Sequence, residues 1–125
     1  MTYQASFTTE GTYIADSLIG GNSALLVSKQ VTIHDGPALA RGSVLGQITA
    51  TGFYCLSEQT ATDGSENPLV ILGEDIPESA TGRSALVYTR GDFVDLGLVI
   101  GTGHTADSIA DQLRMRQIFI VPAVA

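Results

Sequence analysis

Short apolar runs separated by turns make up most of this chain. From Ala24 onward, β-branched and apolar residues gather in Leu25 to Ile33, Val44 to Thr49, Phe53 to Leu56, Leu69 to Leu72, Leu86 to Thr89 and Phe93 to Ile100. Gly, Asp, Asn or Pro bounds each run, which is the pattern of strands in a turn-rich β protein. His34-Asp35-Gly36-Pro37 and Thr51-Gly52 carry turn chemistry between the first three runs, and Thr62-Asp63-Gly64-Ser65 opens the loop before the fourth. No helical period lies between the strands, so the pattern predicts a mainly β fold, a small barrel or a bent β ribbon, over an α/β fold. One helix is predicted near the end, Thr105 to Arg116. Thr105 can cap it, Asp107 lies in its first turn, and Ala106, Ile109, Ala110 and Leu113 repeat on one face. Arg114 and Arg116 are expected in its last turn, where cations suit the helix dipole without any ligand. An apolar strand, Ile118 to Val121, then ends at Pro122, which cannot extend a central ladder.

The stretch before Ala24 has a different texture. Met1 to Gly21 is rich in Thr, Ser and Gly, with scattered apolar side chains at Tyr3, Phe7, Tyr13, Ile14, Leu18 and Ile19. It reads as an N-terminal arm, residues 1–21, ahead of a β-rich domain, residues 22–125. Its aromatics suit a segment that meets a partner surface, and equally one that packs back on its own domain.

Composition narrows the classes. A chain of 125 residues suits one domain with one core, without metals or disulfides. Its 14 glycines exceed the average usage of about 7%, in keeping with frequent sharp turns. Six basic against 13 acidic residues give a net charge of -7, which disfavours nucleic acid and anionic membrane surfaces and suits solubility. Cys55, within Phe53-Tyr54-Cys55-Leu56, has no partner for an internal disulfide and reads as a buried thiol. Met1 to Phe7 lacks the basic start and apolar core of a signal peptide, and no segment approaches the ~18 apolar residues of a membrane span. The expectation is a protein made and folded in cytoplasm and not exported by the usual route.

Several local motifs mimic chemistry, and their context removes it. Gly101-Thr102-Gly103-His104-Thr105-Ala106 follows an apolar run and opens a helix, as a dinucleotide-binding turn does. That turn needs a later strand ending in an acidic residue, and nothing after Asp111 is acidic. Arg90-Gly91-Asp92 spells a cell-adhesion tripeptide but is equally a hairpin turn between two β runs. Asp63-Gly64-Ser65-Glu66-Asn67 offers alternate oxygens without the spacing of a calcium loop. His34 and His104 belong to no metal-ligand spacing, no nucleophile elbow is present, and Glu74-Asp75 reads as a solvated loop pair. The residues therefore predict no catalytic site, no cofactor and no metal.

The remaining signal is an ordered series of segments. Leu39-Ala40-Arg41-Gly42-Ser43-Val44-Leu45-Gly46 combines apolar anchors at Leu39, Val44 and Leu45 with glycines that permit a sharp bend, and Arg41 is placed to span it. Asp63-Gly64-Ser65, then Leu69-Val70-Ile71-Leu72, then Tyr88-Thr89-Arg90-Gly91 follow, before the helix and final strand. This succession, led by Ala15-Asp16-Ser17-Leu18-Ile19-Gly20-Gly21 and running from about Asp16 to Val121, resembles the head decoration protein family of tailed bacteriophages. The resemblance implies a β-clip-like bent ribbon in which Leu39, Arg41, Gly42, Val44, Leu45, Gly46, Asp63, Gly64 and Gly91 are structural motif positions. It further implies a homotrimer at three-fold or quasi-three-fold points outside an expanded capsid, cementing copies of the major capsid protein, with no contact to nucleic acid or membrane. In the family the arm contributes to capsid attachment, which here falls within Tyr3 to Ile19. Two other readings stay open on the residues alone: a small barrel domain that binds a sugar or small acidic ligand within an enzyme assembly, and an oligomerising scaffold without a viral role.

Overall fold

The structure, a computed structural model, describes residues 18–21 and 26–122. Tyr3, Phe7, Tyr13 and Ile14, expected to form the arm's capsid contact, lie outside the described residues. Strands β1 (Ile19–Gly21), β2 (Val27–Ile33), β3 (Val44–Gln47), β4 (Tyr54–Leu56), β5 (Pro68–Leu72) and β6 (Arg83–Val94) come first. A 3-10 turn (Asp95–Gly97), helix α1 (Ala106–Arg114) and strand β7 (Ile118–Val121) complete the order. β6 pairs with β2, β2 with β4, β4 with β3, β3 with β5, and β5 returns to β6. These five strands close a barrel, which leaves no edge within the ring. Within the ring, β2 and β4 meet in parallel, at Ile33 and Tyr54, and the other pairs are antiparallel.

β6 is the organising element. Its first part lines the barrel, pairing Arg83 with Ile33 and Val87 with Lys29, while its last residues leave the ring. From Gly91 to Val94 it instead pairs in parallel with β7, and Phe93 and Asp92 pair antiparallel with β1. This corrects the reading of Leu86 to Thr89 and Phe93 to Ile100 as two strands joined by a turn at Arg90-Gly91-Asp92. The tripeptide lies inside one strand of 12 residues. Gly91, at φ +151°, bends the strand without ending it, a conformation that a side chain would strain. The second apolar run also stops short: the strand ends at Val94, and Asp95–Gly97 form a 3-10 turn.

Two apolar clusters result. Inside the barrel lie Ile33, Leu45, Tyr54, Val70, Leu72, Ile76, Ala85 and Val87. Between the barrel wall, α1 and the outer sheet lie Leu18, Val44, Ile71, Phe93, Ile109, Leu113 and Ile118. Neighbours in sequence therefore face opposite cores, Val44 against Leu45 and Ile71 against Leu72, which explains why Leu69 to Leu72 is continuously apolar. The helix begins as its sequence indicates, with reciprocal bonds between Thr105 and Ser108 at 3.1 and 2.8 Å. It ends at Arg114, so Arg116 lies past the C-cap Met115 and outside the last turn. Gln117, at φ +69°, turns the chain into β7.

Candidate functional site

The motif Leu39 to Gly46 forms the junction between barrel and outer layer. Leu39 bridges to Ile76 and packs on the barrel core, while the Gly42 N–H donates to the Leu72 carbonyl at 2.8 Å. Gly42 sits at φ +99° with the Gly97 carbonyl where a Cβ would project. Only glycine lets the two backbones come this close. On either side, the Val99 N–H donates to the Gly42 carbonyl at 3.0 Å and the Val44 N–H to the Val99 carbonyl at 2.9 Å. The Arg41 Nε donates to the Gly73 carbonyl at 3.2 Å, and the Arg41 N–H donates to Asp75 Oδ1 at 2.7 Å. The bend is thus spanned by Arg41. Gly46 lies against the Ser65 and Asn67 carbonyls, where the Asp63-Gly64-Ser65 turn docks on β3.

That turn is held by Asp63. Its Oδ1 accepts from the Ser65 hydroxyl at 2.5 Å and from the Ser65 N–H at 3.0 Å, a local substitute for backbone pairing. Ser65 hydrogen bonding holds the Asp63 carboxyl below the usual range, because both bonds favour the ionised form. Burial pushes the nearby Cys55 thiol up, which keeps it protonated and a poor nucleophile.

Two polar devices had no sequence signature. Arg83 at the start of β6 donates to the carbonyls of His34, Pro37 and Pro77 at 2.6, 2.8 and 2.6 Å, tying two loops together over one end of the barrel. Its acceptors are backbone atoms, so no residue type announces them. Likewise, Ser43 is buried and bonds the Ala40 carbonyl at 2.7 Å inside the motif.

The decoys fold into the scaffold. Gly101 abuts the Ser57 carbonyl, the Gln59 N–H donates to the Thr102 carbonyl at 3.0 Å, and His104 Nε2 lies 3.0 Å from the Glu66 carbonyl. The supposed phosphate turn is a loop-to-loop contact. His104 Nε2 also stands 3.4 Å from Ser57 Oγ, but Ser57 is wholly buried and out of reach of a substrate. His34 pairs with Asp35 at 2.8 Å, on a different loop. Among the described residues, no group of three His, Cys, Asp or Glu side chains could hold a metal ion.

Of the arm positions, Leu18 and Ile19 belong to the body. Leu18 is 2% exposed within the outer core, its carbonyl accepts from the Val94 N–H at 2.7 Å, and Ile19 pairs with Phe93 in β1. The surface also presents large apolar side chains: Leu96 is 82% exposed, Met115 86%, Val99 41% and Phe119 41%. Several polar side chains of the loops, Arg41, Asp63, Glu74 and Arg83 among them, bind the protein's own backbone, and several large apolar ones face outward.

These features define a small β-barrel scaffold with a structural motif at its centre. The chain belongs to the family of bacteriophage lambda head decoration protein D, whose family model matches residues 7–118. The family is structural and decorates phage heads, which places the protein on the virion capsid. None of the curated proteins compared with the chain matches it.

Proposed function

We propose that the protein binds as a homotrimer at three-fold or quasi-three-fold points on the outside of the expanded capsid and cements neighbouring copies of the major capsid protein. The observation that carries this reading is the family match over residues 7–118, which takes in the whole barrel and part of the segment before it. Tyr3, Phe7, Tyr13 and Ile14 supply the capsid contact of each arm, and Leu18 and Ile19 anchor that arm to the body. The arm contributes backbone as well as side chains, adding a strand to an exposed capsid sheet. Cyclic symmetry matches a three-fold site, and three tethered arms reinforce one another through effective concentration, so each contact can be weak. The net charge of -7 keeps free copies apart in solution and steers the protein away from packaged nucleic acid.

Co-sedimentation with expanded and unexpanded capsids tests this reading, together with sedimentation velocity of the free protein. Saturable binding to expanded capsids alone, by a species three times the chain mass, is the expected result. A monomer that ignores both capsid states would overturn it.

A further inference from the structure

We infer that the turn from Leu96 to Val99 is the part of the barrel body that touches the capsid protein directly, beside the arm. This inference rests on the capsid-binding reading of the arm given above. Leu18, where the proposed arm meets the body, is held there by the Val94 N–H, which donates to its carbonyl at 2.7 Å. Leu96 stands two residues beyond Val94. The arm thus enters the body beside this turn, which places the turn next to the surface that the proposed arm engages.

The turn is built to present its apolar side chains. Leu98 points inward and packs on the outer core with Phe93 and Leu18, while Leu96, at 82%, and Val99, at 41%, face out. The backbone beneath them is tied down: the Leu98 N–H donates to the Asp95 carbonyl at 3.2 Å, Val99 is bonded on both sides to the strand leading into β3, and Gly97 packs on Gly42. A leucine held outward on a fixed turn loses little backbone freedom on docking, so the area it buries converts efficiently into affinity. The structural motif at Gly42 thereby acquires a second consequence, since it fixes the surface turn that docks. The occupant is an apolar depression on the major capsid protein, next to the track of the arm.

The test is quantitative co-sedimentation of the full chain on expanded capsids, comparing wild type with Leu96→Asp, Leu96→Ala and Met115→Asp. Met115 is equally exposed, at 86%, but lies at the end of α1. Thermal melts and sedimentation velocity accompany each variant. Support would be a loss of at least about tenfold in affinity for Leu96→Asp, a smaller loss for Leu96→Ala, and wild-type binding by Met115→Asp, with melts and association state unchanged. Wild-type affinity in Leu96→Asp would overturn the inference and leave the proposed function standing. An altered association state in Leu96→Asp would reassign the turn to contact between copies and also overturn it. Failure of the wild type itself to bind capsids would overturn both.

Discussion

Single residues in this protein act chiefly on its own backbone, and their strength can be measured one at a time. Gly42 combines a left-handed φ with the Gly97 carbonyl at the place of a Cβ, so Gly42→Ala meets strain and collision together. Neither can relax cheaply, because the neighbouring atom is backbone, and Val99 two residues further on is hydrogen bonded to Gly42 and Val44. Urea denaturation should show a loss of about 2 kcal/mol or more. Asp63 makes a subtler contribution, through its ionised carboxylate on Ser65. Since its folded pKa is lowered, the stabilisation is fully present above the ordinary aspartate range and is lost as pH falls through the lowered value. Asp63→Ala should therefore flatten the acid limb of the stability profile, while leaving its slope above that range unchanged. A steeper acid limb in the variant would contradict this sign.

At the scale of elements, Arg83 joins what the strands alone leave separate. The loop after β2 and the loop before β6 meet in the backbone bridges Gly36 to Ser79 and Leu39 to Ile76, and the Arg83 guanidinium gathers three carbonyls from the same two loops. A planar fork reaches them together, whereas an ammonium cannot. Arg83→Lys should cost about 2 kcal/mol in chemical denaturation, with little gain over Arg83→Met; recovery of wild-type stability by lysine would show that charge alone suffices. The individual strands were legible in the sequence because turn residues bound each apolar run, and α1 because its cap and apolar face both declare themselves. The unity of β6 was not, since Arg90-Gly91-Asp92 has turn composition and a glycine that bends a strand looks the same in sequence as one that ends it. The exposed turn at Leu96 was hidden for a related reason: Phe93 to Ile100 reads as one apolar run, and only the 3-10 turn sends Leu96 outward while Leu98 stays in. That Arg41 spans the bend was legible within one segment, but its partners Gly73 and Asp75 were not, since they lie in a distant loop whose Glu74-Asp75 reads as a solvated pair.

For the molecule as a whole, the decisive question is where the arm ends and the body begins. The family match covers residues 7–118 and so crosses that boundary without marking it. The packing supplies a criterion. Leu18 is buried in the outer core with Phe93, its carbonyl is bonded to Val94, and β1 covers one side of the last part of β6. Removing residues 1–14 therefore takes away Tyr3, Phe7, Tyr13 and Ile14 and leaves every described residue of both apolar cores in place. Removing residues 1–21 additionally strips Leu18 and all of β1, exposing Phe93 and opening the outer sheet. The shorter truncation should melt as the full chain does in urea, yet fail to co-sediment with expanded capsids. The longer one should lose about 3 kcal/mol of stability, from the burial of Leu18 and Ile19 together with the hydrogen bonds of β1. If the shorter truncation bound capsids fully, attachment would have to come from the body alone, with the Leu96 turn as its first candidate. If it instead lost stability as the longer one does, residues before 15 would be part of the fold. The two cuts thus separate the capsid contact from the anchor that holds it, a distinction that the single apolar series from Tyr3 to Ile19 conceals.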